Sequence, residues 1–362
     1  MRRHLRTLLV VLVTVGLLAL FLRQVNLGEV AREIRRASVA DLLLAILTTL
    51  SVYVFRAVRW QAMLEPVGHA RFVPAFRTTV IGFAANTLLP ARAGEFLRPY
   101  LLARHEGLSA TSTFATIVLE RVLDLLTVLF LFALFVFLFD PGMANVDEAT
   151  FRALKGGGLL AACGAGALLA FMFLLAGHPE RWGRIVQRVE HVLPARIADF
   201  FARLARTFAE GLAVLRRPGP LLRAALLSLP VWLAITTGIW LVTRAFHVAM
   251  PYTGSFLIVA LLTVGVTVPT PGSVGGFHYA YRVGATVFFG VPNERAVGAA
   301  IVLHAISFLP AVLLGTVFML QDGLSFARLR SMAASNEPDA GGGDLAATPP
   351  AGGAPGPEGG AP

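Results

Sequence analysis

Residues 88–102 read LLPARAGEFLRPYLL, and they put two prolines, a glycine, two arginines and a glutamate into sequence that is otherwise apolar. Pro90 removes a backbone donor and Gly94 accepts left-handed geometry, so the stretch predicts the end of one half-helix and the start of another. A second stretch, VPTPGSVGGFHYAY at 268–281, repeats the pattern. Pro90, Gly94 and Phe96 in PARAGEF match Pro271, Gly275 and Phe277 in PGSVGGF, with Gly272 and Gly276 in the same second break.

Outward from these breaks the chain reads as membrane-embedded. Of its 362 residues 56% are hydrophobic and 14% charged, against about a quarter charged in a soluble domain. Apolar runs of about 20 residues recur along it, the length that crosses hydrocarbon as a helix. A β-barrel would show short alternating segments instead. The formal charge of +10 comes almost entirely from arginine, with Lys155 the one lysine. In a membrane chain such arginines point to loop topology and anionic headgroups, with no nucleic acid partner. Cys163 is the single cysteine, excludes an intramolecular disulfide, and reads as a small core residue.

Full spans are expected near 5–22, 41–58, 113–139, 157–176, 221–242 and 296–320. The two broken regions cover 76–103 and 255–290. The first run follows a basic start, MRRHLR, as a signal peptide would, but no small-x-small cleavage site precedes Arg23; it is read as a retained helix. Residues 178–220 carry eight arginines (181, 184, 188, 196, 203, 206, 216 and 217). Within them Ile197, Phe200, Phe201, Leu204, Phe208, Leu212 and Leu215 recur at helical spacing, predicting an interfacial amphipathic helix on the cytoplasmic side. After Arg330 the composition turns to Gly, Ala and Pro. The expected domains are therefore a transmembrane unit, 1–330, and a disordered tail, 331–362.

If both broken regions are re-entrant, each half reads span, span, hairpin, span, and the halves have opposite orientations. The expected fold is an all-α polytopic bundle with two re-entrant hairpins in an inverted repeat, both termini cytoplasmic, in the inner (plasma) membrane. The loop 23–40 then lies outside despite four arginines, against the positive-inside tendency. Eight full spans are the alternative topology.

The amides that open a new half-helix suit an anion, and Arg92 and Arg98 would hold its phosphate oxygens bidentately. Glu95 between them would position an arginine or meet a cationic headgroup. The bland alternative makes these arginines snorkelling markers of the membrane edge. In LERVLDL (119–125), Glu120 and Asp124 share a helix face, and Arg121 can pair with Asp124. Charges inside a span face a polar interior, so this string reads either as a headgroup or proton path or as an ion-pair cluster tying its helix to the first hairpin. The second break offers His278, Tyr279, Tyr281 and Arg282. His304, with Ser307 one turn on, reads as a hydrogen-bonded packing histidine, and Trp60, Trp232 and Trp240 as interfacial anchors or packing residues.

These residues carry a resemblance. NTLLPARAGEFLRPYLLARHEGLSATSTFATIVLERVLDLL resembles the signature region of the lysylphosphatidylglycerol synthase transmembrane-domain family, the flippase-like integral membrane proteins, and VPTPGSVGGFHYAY looks like its later Pro-Gly motif. The resemblance covers about 5–325. It implies a lipid-translocating domain in which Arg92, Glu95, Arg98, Glu120, Arg121 and Asp124 occupy the motif positions; the reading of the second break adds His278 and Tyr281 to the expected headgroup site. Many relatives have a glutamate shortly after the second Pro-Gly motif, whereas this chain has His278 in GFHYAY. The polar stretches are too short for the soluble aminoacyltransferase domain that full-length lysyl transferases carry, so no lipid aminoacylation is expected.

The expected partners are a membrane phospholipid or lipid-linked substrate and a separate lipid-modifying enzyme, with no cofactor and no metal. The apolar helix surfaces also admit an oligomer. No P-loop is present, so net pumping would need an ion gradient or a partner. Two rival readings stand beside the flippase: a membrane-embedded lipid or polyprenyl-phosphate transferase, which lacks DxD, HExxH and GxSxG signatures, and a small-solute secondary transporter.

Overall fold

The computed structural model describes residues 25–89, 92–138, 148–177, 195–267 and 270–322, with only the backbone of 195–202 and 271. The expected first span at 5–22, Pro90, the first part of the basic loop (178–194) and the tail at 331–362 lie outside these residues. The described elements are all helical.

The segment 23–40, read as a loop, holds a helix, α1 (Leu27–Arg36). Asn26 caps it by accepting from the amides of Gly28 (3.0 Å) and Glu29 (3.3 Å). Glu29 in its first turn and Arg35 and Arg36 in its last complement the helix dipole. Arg32, Arg35 and Arg36, three of the four arginines that troubled the topology, thus belong to an amphipathic helix, and Arg23 lies outside the described residues. Its Val30 is buried, and Glu33 pairs with Arg295 at 2.9 Å.

Then come α2 (Val39–Leu64), α3 (Phe72–Leu88), α4 (Gly94–Glu106), α5 (Ala110–Leu138), α6 (Glu148–Gly177), α7 (Ala195–Gly211), a short 3-10 turn (Ala213–Arg216), α8 (Pro218–Ala245), α9 (Gly254–Gly265), a second 3-10 turn (Pro271–Ser273), α10 (Gly276–Val283) running into a π-turn (Gly284–Phe288), and α11 (Asn293–Gln321). Four of the described helices, α2, α6, α8 and α11, are long and apolar enough to cross a membrane. At 29 residues α5 is about 43 Å long; charges interrupt its first half. Cys163, read as a core residue, lies exposed on α6, a helix whose buried residues are Ala165 and Met172. The amphipathic helix α7 does form, and it packs against α5. Ser112 donates to the Thr207 carbonyl at 3.0 Å, and Phe208, Leu212 and Leu215 join a buried apolar cluster.

Both breaks are present, built differently. In the first, Leu89 is extended and Arg92 takes a left-handed φ of 54°. Gly94, expected to supply left-handed geometry, instead begins α4: a Cβ there would collide with the Gly82 carbonyl oxygen. Its role is the close approach of α3 and α4. In the second break Gly272 (φ 61°) and Gly275 (φ 97°) do take the left-handed conformation, and Gly265 lies against the Gly276 carbonyl. The two arms of each break pack on one another. The tips also meet: α3 packs against the Pro271–Ser273 turn, with Thr87 the neighbour of Gly272.

The helix pairings fall into a two-fold pattern. Exchange α1 with α7, α2 with α8, α3 with α9, α4 with α10 and α5 with α11, and the contacts map onto one another. Within the halves, α2–α3 corresponds to α8–α9, α2–α5 to α8–α11, α3–α4 to α9–α10 and α4–α5 to α10–α11. Between them, α3–α11 corresponds to α9–α5, α2–α11 to α8–α5, and α1–α11 to α7–α5. The pair α2–α8, its own counterpart, is the most extensive among the described helices.

Candidate functional site

Among the described residues the two largest of four buried apolar clusters leave a charged layer between them. Along α2 the larger core ends near Val52 and the smaller begins at Trp60; along α5 the boundary falls between Leu123 and Val128, and along α8 between Ala224 and Val231. Into this layer α2 sends Arg56 and Arg59, α4 sends Arg98, α5 sends Glu120, Arg121 and Asp124, and α8 sends Ser228 and Trp232. Arg59 lies three positions after Arg56 and Asp124 four after Glu120, so each pair shares one helix face.

Glu120 is the hub. Arg98 Nη1 donates to both its oxygens (3.1 and 3.0 Å), Arg56 Nη1 at 3.2 Å and Arg121 Nη2 at 3.0 Å. Arg59 Nη2 lies 3.1 Å away. Asp124 accepts from Arg59 Nη1 (2.7 Å), Arg56 Nη1 (3.3 Å) and the Trp232 indole (2.9 Å), with Arg121 at 3.6 Å. Arg59 Nη1 also donates to Ser228 at 3.0 Å. Aromatic faces close the layer: Trp60 lies 3.9 Å under the Arg98 guanidinium, and Phe83 5.0 Å from that of Arg56.

Arg59 and Glu120 are wholly buried, and Arg56, Arg98 and Asp124 nearly so. Arg121 is the accessible member, its side chain 36% exposed. Four guanidinium groups therefore face two carboxylates. Arginine stays charged in proteins, so the layer holds a surplus of two positive charges. The donors are not used up either. Among the described residues, Arg98 Nε and Nη2, Arg59 Nε and Arg121 Nε are buried without a hydrogen bond. In Arg98 those two nitrogens form the side-on fork that grips a phosphate or carboxylate bidentately.

Of the residues singled out from the sequence, Arg98, Glu120, Arg121 and Asp124 are brought together. Arg92 and Glu95 pair with each other at 3.4 Å by the first break, where Arg92 is half-exposed, and Glu95 is within electrostatic reach of Arg121 at the edge of the layer. Phe96, outside the layer, stacks on Phe114 at 5.1 Å. Pro90 is not among the described residues. In the second half His278 lies with its ring 4.6 Å from that of His304, and Phe277 packs on His304. His304 bonds the Gly272 carbonyl at 2.7 Å, so its partner is the backbone of the second break rather than Ser307. Tyr281 is buried and its hydroxyl meets Thr243 at 2.8 Å, about 16 Å along α8 from Trp232.

Arg56 and Arg59 were missed, although RAVRW within an apolar span was the signal. Trp60 and Trp232 are buried hydrogen-bonding members of the layer, Trp60 donating to Thr116 at 2.9 Å, not interfacial anchors. An internal echo was legible too. IVLE at 117–120 and IVLH at 301–304 lie on the exchanged helices α5 and α11, and each ends on a side chain that ties its helix to the break of its own half: Glu120 to Arg98, His304 to Gly272.

The chain matches the family described as Lysylphosphatidylglycerol synthase TM region over residues 7–315. It is 25% identical over 337 residues to Glycosyltransferase AglD of Haloferax volcanii, covering 87% of this chain and 54% of that protein. It is 29% identical over 135 residues, 36% of this chain, to a UPF0104 membrane protein of Methanothermobacter thermautotrophicus, and over 129 residues, 35% of this chain, to another from Methanocaldococcus jannaschii. The chain spans about half the length of the first of these and 39% and 38% of the other two.

Proposed function

The chain belongs to the lysylphosphatidylglycerol synthase TM-region family, and on that premise we propose that it holds the anionic headgroup of a membrane phospholipid or lipid-linked substrate at the arginine layer and carries it between leaflets. The observation that carries this reading is the surplus of buried guanidinium groups with the free Arg98 fork. A buried charge without a counterion is costly, and an anion relieves the cost.

The exchange of helix pairings and the packed, tip-to-tip breaks support an inverted repeat with two re-entrant hairpins, and the arginine-rich stretch 178–220 is the reason for placing the termini on the cytoplasmic side of the inner membrane. Rocking of one half against the other about the α2–α8 pair would expose the layer to each leaflet in turn. The acyl chains stay in lipid throughout. An apolar groove of about 480 Å³, walled by Leu123, Gly166, Leu169, Phe173, Leu215 and Leu221, has the size of a ligand site and the apolar lining that suits one such chain.

The similarity to a protein named a glycosyltransferase across 87% of this chain favours one second reading, a transferase acting on the lipid phosphate, with the carboxylates of Glu120 and Asp124 as its chemistry-bearing groups. A changed lipid product would establish it.

The test is to purify the protein in mild detergent and quantify its bound lipids against the host membrane, for wild type and Arg98→Ala. Selective retention of one anionic class, lost in the variant, supports the site and supplies the substrate for a leaflet-transfer assay. Bulk lipid composition on both proteins removes its main support.

A further inference from the structure

The charge surplus and the free donor edges carry the proposed headgroup reading further, and the argument here rests on that reading. We infer that the arginine layer recognises a phosphate carrying two negative charges, a phosphomonoester or diphosphate terminus, in preference to the singly charged phosphodiester of an ordinary phospholipid headgroup.

Arg56, Arg59, Arg98 and Arg121 stand against Glu120 and Asp124. Arg92 and Glu95 pair with each other at 3.4 Å, and although Glu95 also acts on Arg121, counting both leaves the surplus at two. One phosphodiester leaves one positive charge of the layer without a counterion. A dianion leaves none. In a low-dielectric interior that difference weighs heavily for the buried Arg56, Arg59 and Arg98, and less at Arg121, which keeps contact with solvent.

The donors are arranged for one phosphate rather than two. Arg98 and Arg121 both hold Glu120 Oε1, at 3.1 and 3.0 Å, so their guanidinium groups sit side by side around one oxygen. Arg98 spends Nη1 on Glu120 and keeps Nε and Nη2, while Arg121 keeps Nε. A single phosphate can take the Arg98 fork with two oxygens and Arg121 Nε with the third, which a diester, with two oxygens esterified, satisfies less fully. Access is from the Arg121 side, since Arg121 is partly exposed and the other members are not.

The test uses the full chain in neutral detergent and compares phosphatidic acid, a monoester, with phosphatidylglycerol, a diester of the same acyl chains, by native mass spectrometry and titration. From about pH 5 to about pH 8 the monoester gains its second charge, near pH 6. Over that range phosphatidic acid is expected to bind roughly tenfold tighter or more, and phosphatidylglycerol to stay constant. At the lower pH inorganic pyrophosphate should displace phosphatidic acid while methylphosphonate, a monoanion there, should not. If pyrophosphate alone binds as tightly as the lipid, the dianion site stands and its natural ligand is soluble, which removes the lipid reading. If phosphatidylglycerol binds as tightly as phosphatidic acid at the higher pH, the dianion preference is overturned and the headgroup site survives. Absence of binding by both lipids and by pyrophosphate overturns both.

Discussion

Glu120→Gln keeps the shape of the buried layer and removes one of its two negative charges, raising the positive surplus from two to three. The lost carboxylate is held by four arginines, at distances of 3.0–3.2 Å. Breaking a buried pair from the carboxylate side costs about 3–5 kcal/mol. Arg98→Gln breaks one of the same contacts, yet it lowers the surplus to one and leaves Glu120 with three guanidinium partners. Its cost is that of a hydrogen bond to a charged group, about 1.5–3 kcal/mol. The substitutions should therefore be unequal even though they dissolve the same Arg98–Glu120 bond. Combining them returns the surplus to two, so the double variant should be more stable than the two single losses add up to, by about 0.5–3 kcal/mol. Reversible unfolding of lipid-stripped protein in mixed micelles, followed by circular dichroism, measures all three. Arg98→Gln as damaging as Glu120→Gln, or strict additivity in the double variant, would refute the charge accounting on which the proposed site rests.

Trp232→Phe removes the indole donor to Asp124 and should cost about 1.5–3 kcal/mol, whereas Trp240→Phe loses a bond to the neutral Met250 carbonyl and should cost about 0.5–1.5 kcal/mol by the same unfolding assay. Gly94→Ala places a methyl against the backbone oxygen of Gly82 and should lower stability by about 1–3 kcal/mol. Gly164→Ala, which meets open space on α6, should instead gain up to about 1 kcal/mol, and a loss there would show that α6 packs against something in the folded protein. Gly272→Ala forces a side chain into a left-handed position at about 1–2 kcal/mol; a thermal melt unchanged from wild type would mean the second break relaxes freely.

Length and composition determined the helical membrane class, because a run of about 20 apolar residues has few other stable fates. Every predicted span within the described residues is a helix, and both Pro- and Gly-rich stretches interrupt one. Local chemistry sufficed there, since proline and glycine act on their own backbone. The pairing of Arg98 with the LERVLD helix was legible for the related reason that an ionisable group inside a span needs a partner. The sequence alone left the size and sign of the cluster undecided. Arg56 and Arg59 lie more than 60 residues before Asp124, and Trp232 more than 100 after it; only the crossing of α2, α5 and α8 brings them to one layer. The same holds for Gly94. Its identity announced a turn, but what it provides is the approach of two backbones, a property of the space between helices that no single segment contains.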